Sequence, residues 1–222
     1  MSKAVSKFAL VAGFVLAMAF TFSCSPPDDG GEGGGGNGGN STCSADFRTV
    51  TIGTQTWMAE NLNCNVGGSK CYDNCAKYGR LYDWSTAMAL PASCNSGDCS
   101  SQIQSKHRGI CPAGWHIPSD VEWDVLVKFA GGSSTAGTKL KATSGWYDDE
   151  NGTDDYGFSA LPGGYGNSGG SFNDVGYNGN WWSSTEGSAF SAYSRNMYNY
   201  NSKVRRYDGL KSYLYSVRCL QD

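Results

Sequence analysis

Cys111-Pro-Ala-Gly-Trp-His-Ile-Pro-Ser119 runs directly into Asp120-Val-Glu-Trp-Asp-Val-Leu-Val-Lys-Phe-Ala-Gly-Gly132, and the junction reads as a helix start. Ser119 can accept from a backbone N–H of the first turn while Glu122, three residues on, reaches back: the reciprocal pattern of a capping box. Val121, Val125, Leu126 and Phe129 fall on one face at helical spacing, and Gly131-Gly132 ends the run. Upstream, Leu81, Trp84 and Met88 keep helical spacing until Pro91 stops it, which predicts another helix. Further out, residues 48–52 and 55–58 are β-favouring runs around Gly53-Thr54, the two-residue turn of a hairpin. Beyond Gly132 the chain turns rich in Gly, Ser, Asn and aromatics, with short strands predicted over 181–185, 192–197, 204–207 and 213–220. Two helices, small antiparallel sheets and long ordered loops make an α+β domain.

The N-terminus has a different character. Lys3 and Lys7 precede an uncharged apolar run from Phe8 to Phe22, the layout of a signal peptide. The run falls short of the roughly 20 residues a membrane-spanning helix needs. At its end, Ser23-Cys24-Ser25 resembles the bacterial lipobox, with Thr21 where that motif usually carries leucine. Cleavage before Cys24 would make it the lipidated N-terminus of the mature protein. Pro26-Pro27-Asp28-Asp29 and the following Gly/Asn/Ser tract cannot bury apolar surface and suit a tether. The expected organisation is a signal peptide over 1–23, a lipidated Cys24 with a tether over 24–42, and one domain over 43–222. Localisation follows as the cell envelope: an outer-membrane lipoprotein, periplasmic or surface-exposed, whose first partner is the lipid membrane.

Charge excludes one class of partner. Seventeen Lys and Arg against 20 Asp and Glu leave a net charge of -3 with no basic patch, so nucleic acid is not expected as a ligand. With Cys24 set aside, Cys43, Cys64, Cys71, Cys75, Cys94, Cys99, Cys111 and Cys219 are even in number, as an exported, fully oxidised domain would have them. Eight cysteines allow 105 connectivities. Cys71 with Cys75 and Cys94 with Cys99 would close short local loops, and Cys111 with Cys219 would join the middle of the domain to its C-terminal strand. A zinc reading of Cys71-x3-Cys75 lacks a partnering histidine cluster.

No catalytic constellation stands out. His107 and His116 are the only imidazoles, and neither sits in a nucleophile or metal motif, so His116 reads as a packed histidine. Residues 148–155 place five acids within eight positions. Asp148, Glu150 and Asp154 are candidate oxygen ligands for a weak Ca2+ site, although Asn151-Gly152 reads first as a solvated turn. The aromatics Trp146, Tyr147, Tyr165, Tyr177, Trp181, Trp182, Tyr193, Tyr198, Tyr200 and Tyr207 crowd the second half. Trp115, Trp123 and Trp182 are assigned to the core. Tyr198 and Tyr200, in Asn196-Met-Tyr-Asn-Tyr-Asn201, are the candidate glycan-binding platforms.

Several segments together carry a resemblance. Ile52-Gly-Thr-Gln-Thr-Trp-Met-Ala-Glu-Asn-Leu62, Tyr78-Gly-Arg-Leu-Tyr-Asp-Trp84, residues 111–119, Gly157-Phe-Ser-Ala-Leu-Pro-Gly-Gly164, Trp182-Ser-Ser-Thr185 and Ser216-Val-Arg-Cys219 resemble the Fibrobacter succinogenes major paralogous domain family over nearly all of 46–222. Residues 114–123 and 217–219 are more distantly similar to formylglycine-generating enzymes and other C-type-lectin-like folds, which implies such a fold for this domain. Those enzymes use a close cysteine pair near the C-terminus, whereas Cys219 stands alone there, and the sugar-ligating segments of C-type lectins are missing. The resulting expectation is a non-catalytic binding or adhesion module on the bacterial surface, with a glycan or another envelope component as partner. A structural envelope protein and an enzyme of the formylglycine-generating type are the alternatives.

Overall fold

The computed structural model describes residues 47–222. The predicted signal peptide, Cys24, the tether and Cys43 therefore lie outside the described residues.

Strands β1 (Thr49–Ile52) and β2 (Gln55–Met58) form the expected hairpin, with Thr49 opposite Met58. Gly53 holds the turn at φ 62°, a left-handed conformation that only glycine adopts without cost, and a Cβ there would press to 2.9 Å of the Phe129 ring. β9 (Leu220–Gln221) lies between β2 and β3 (Trp115–His116), giving a four-stranded sheet in the order β1-β2-β9-β3. A second sheet has the order β5-β4-β6-β7-β8, built from β4 (Gly163–Gly166), β5 (Phe172–Val175), β6 (Asn178–Glu186), β7 (Ser191–Tyr198) and β8 (Val204–Leu210). All its pairings are antiparallel except β4 with β6. The domain is thus α+β, as expected, but 213–220 is not one strand. Leu214 bridges Gly166, Tyr215 bridges Tyr82, and Ser216 bridges Trp181 before β9 begins, because this segment crosses from one sheet to the other.

The helices also differ from expectation. α1 (Cys75–Tyr78), α2 (Trp84–Ala87) and α4 (Ala136–Leu140) are single turns, and among the described residues only α3 (Asp120–Phe129) is of ordinary length. The stretch from Leu81 to Pro91 therefore yields one turn, capped by the Asp83 carboxylate accepting from Thr86 N at 2.8 Å. The capping box of α3 forms as predicted, with Ser119 N donating to Glu122 Oε2 at 2.8 Å. Its buried face does not. Val121, Val125 and Phe129 are exposed, while Trp123, Leu126 and Val127 face the core together with Asp120. Asp120 turns inward because the fully buried Arg195 of β7 donates to it and, at 2.7 Å, to Asp124. An ion pair, rather than apolar spacing alone, sets how the helix is rotated.

Two apolar clusters fill the interior. Trp57, Trp123, Phe158, Trp181 and Met197 centre one, between α3 and the second sheet. Tyr82, Trp84, Met88, Ile117, Trp182 and Val217 centre the other, together with the disulfides Cys94–Cys99 and Cys111–Cys219. Cys71–Cys75 is also bonded, and Cys64 is disulfide-bonded too. Trp115, Trp123 and Trp182 are buried as expected. Long loops are fastened by buried cations: Lys211 Nζ donates to Gly97 O at 3.0 Å, to Ala189 O at 3.1 Å and to the Glu186 carboxylate, beneath the Trp84 ring.

A candidate binding face on the second sheet

Side chains alternate across a strand, so the register of β6, β7 and β8 sorts their residues onto two faces. Gly179, Trp181, Arg195, Met197, Val204 and Arg206 share the face that packs towards α3. Asn178, Asn180, Asn196, Tyr198, Arg205 and Tyr207 share the other.

On this second face the asparagines form a chain of hydrogen bonds anchored on a carboxylate. Asn178 Nδ2 donates to Asp174 Oδ2 at 2.8 Å, Asn180 Nδ2 donates to Asn178 Oδ1 at 2.6 Å, and Asn196 Nδ2 donates to Asn180 Oδ1. An ionised carboxylate only accepts. Asp174 therefore fixes the orientation of every amide in turn, and the far end of the chain must be an oxygen. That oxygen, Asn196 Oδ1, is buried and has no hydrogen-bond partner among the described residues.

Tyrosines surround the ladder. Tyr165 and Tyr213 stack with centroids 5.9 Å apart, Tyr215 meets both edge-on, and Arg205 sits 5.1 Å from the centroid of the Tyr198 ring. Burial, followed by the neighbouring phenols of Tyr207, Tyr198, Tyr213 and Tyr165, pushes the Tyr215 hydroxyl well above the ordinary range. Tyr165 and Tyr198 are raised as well, first by burial and then by charges nearby, Asp174 among them. Tyr165, Tyr198 and Tyr215 hence stay protonated at neutral pH, able both to donate and to accept.

A loop cluster extends the face. Tyr147 and Tyr177 are exposed and stack at 4.4 Å, held by Tyr147 N donating to Gly176 O and Asn199 N to Tyr177 O, both at 2.8 Å. Tyr200 is 62 % exposed and its ring lies 5.5 Å from that of Tyr198, which is half-buried. Of the two tyrosines expected as platforms, Tyr200 is thus an open ring and Tyr198 a partly supported one.

The acidic loop is organised differently from a metal site. Asp148 and Asp149 adopt left-handed φ of 58° and 55°, a conformation aspartate tolerates. Asp154 accepts from Ser159 N at 2.7 Å and from its hydroxyl at 2.5 Å. Among the described residues no group of three or more His, Cys, Asp or Glu is placed to hold a metal, so Asp148, Glu150 and Asp154 do not converge. Asn151-Gly152 is no solvated tip either: Gly152 N donates to Ala142 O at 2.9 Å, and a Cβ there would collide with Lys141 O.

Both histidines are committed to the scaffold. His107 Nε2 lies 2.8 Å from Met88 O. His116, 1 % exposed, has Nδ1 2.8 Å from Asp222 Oδ1 and Nε2 3.0 Å from Glu122 Oε1. It lines a cavity of about 250 Å³ with Thr54, Thr56 and Lys106.

The family model of the Fibrobacter succinogenes major domain matches residues 50–221. The chain belongs to this family. The match takes in the hairpin from Val50 onward, α3 and all five strands of the second sheet, so the tyrosine and asparagine face lies wholly within the family's domain. No curated protein and no solved structure matches the chain.

Proposed function

We propose that this member of the Fibrobacter succinogenes major domain family is a non-catalytic binding module on a C-type-lectin-like scaffold. In this reading Cys24 anchors it as a lipoprotein of the bacterial envelope, and the second face of its five-stranded sheet takes a glycan. The observation that carries the reading is the group of exposed rings, Tyr147 stacked on Tyr177 and Tyr200 beside Tyr198, next to a sheet whose strands are fixed by the buried asparagine ladder. Sugar rings offer C–H faces that stack on aromatic rings, and their hydroxyls match groups that both donate and accept. Support against an enzyme of the formylglycine-generating type comes from the cysteines, since Cys219 is bonded to Cys111.

The test is a glycan array probed with the full-length chain in detergent, followed by Tyr200→Ala, Tyr198→Ala and Asn196→Ala. Binding that falls at least several-fold in Tyr200→Ala, with an unchanged melting temperature, supports a glycan platform. A chain that binds no glycan points instead to a structural envelope protein, and one that binds equally well in all three variants does not use this face.

A further inference from the structure

Four backbone carbonyls converge on one ammonium. Lys141, 3 % exposed, places Nζ 2.8 Å from Glu150 O, 3.1 Å from Asn199 O, and 3.4 Å from both Tyr198 O and Asn201 O. The Trp146 ring closes a further side, its centroid 4.9 Å away. Among the described residues no carboxylate oxygen lies within 4.0 Å of Nζ; Glu150 contributes its main chain directly and its carboxylate only as a more distant charge. A buried ammonium is normally met by a carboxylate, whereas neutral carbonyls ringed around a cation are the donor set that holds a monovalent ion.

We propose that this is a cation cage which the chain fills with its own lysine. The ammonium ties the loop over 146–151 to the turn over 198–201, the two segments that carry Tyr147, Tyr198 and Tyr200. Calcium is not the ion such a cage selects, since Ca2+ sites recruit carboxylates and none is offered. The acidic loop is fastened through the carbonyl of Glu150, with a side chain doing the work of an inorganic ion. Its bearing on recognition rests on the glycan reading above. The cage itself is read by melting and proteolysis, so either idea can fail without the other.

The experiment compares Lys141→Ala, which empties the cage, with Lys141→Met, which keeps the stem over Trp146 and removes the charge. Both variants should melt lower, Lys141→Ala by on the order of 5 °C or more, and should become sensitive to limited proteolysis within 146–151 and 198–202. Ammonium or potassium chloride should restore Lys141→Ala saturably, relative to choline chloride at equal ionic strength, and leave Lys141→Met and the wild type unmoved. Wild-type melting in either lysine variant, restoration by no ion, or restoration by calcium alone would overturn the proposal. Should Lys141→Ala not fold, reductive methylation of the native chain decides: the proposal requires Lys141 to stay unmodified while exposed lysines react, and modification at their rate defeats it.

Discussion

His116 has a carboxylate oxygen against each ring nitrogen, and two acceptor-only partners can both be satisfied only by a ring that donates twice. Burial alone would lower its pKa, but the hydrogen bonds and charges of Glu122 and Asp222 outweigh burial and raise it above 6.5. Glu122 is shifted the other way: burial would raise it, but His116 and the Ser119 cap hold it below its usual value. A raised histidine contributes stability that is complete below its unfolded pKa and is lost as pH rises through the folded one. A lowered glutamate contributes stability present above its unfolded pKa and lost as pH falls through the folded one. The melting temperature should hence be highest in the weakly acidic range and decline on the alkaline side, and the gap between wild type and His116→Asn should narrow as pH is raised from about 6 to 9. Parallel melting curves across that range would remove the imidazolium. Sequence reading placed His116 correctly as packed but had no means to find its partners, one of which lies 106 residues away.

At the scale of the element, α3 separates spacing from burial. Trp123→Ala and Leu126→Ala should each cost about 2–5 kcal/mol, as large-to-small core changes do. Val121→Ser, on the exposed side, should stay within about 0.5 kcal/mol, and denaturant melts of the three variants would show whether the helix is rotated as described. Ser119→Ala removes the cap, and about 1 kcal/mol of loss is expected for it. The hairpin, the cap of α3 and strands β6, β7 and β8 were legible because each is announced locally, by Gly53-Thr54, by Ser119 with Glu122, and by β-favouring runs, whereas the Gly- and Asn-containing β4 and β5 were not read as strands. The buried side of α3 was not, because Val121, Val125 and Phe129 are as helical in their spacing as the residues that pack, and the choice is made by Arg195 from another element. The asparagine ladder was equally hidden. Its members join β5, β6 and β7, and only the strand register brings them together.

For the molecule as a whole, the Cys111–Cys219 bond spans 108 residues. Closing a loop of that size restricts the unfolded chain by about 4–5 kcal/mol in the entropy model, so Cys111→Ala/Cys219→Ala should lower the denaturant midpoint far more than Cys71→Ala/Cys75→Ala. Equal midpoints would show that other contacts constrain the chain as strongly. Anchoring is tested separately: labelled palmitate should enter the wild-type chain and not Cys24→Ser, and equal labelling would leave the protein without its lipid.

The position of β9 has a consequence for how such a chain must be made. Leu220 pairs with Trp57 on one side and His116 on the other, so the first sheet has a gap until the last strand has arrived. A ribosome delivering the polypeptide from its N-terminus presents the hairpin and α3 long before the piece that joins them. Pairings so distant in sequence are slow to form. The first sheet of the nascent chain therefore stays open until β9 has been made, and the hairpin and β3 wait unjoined until then.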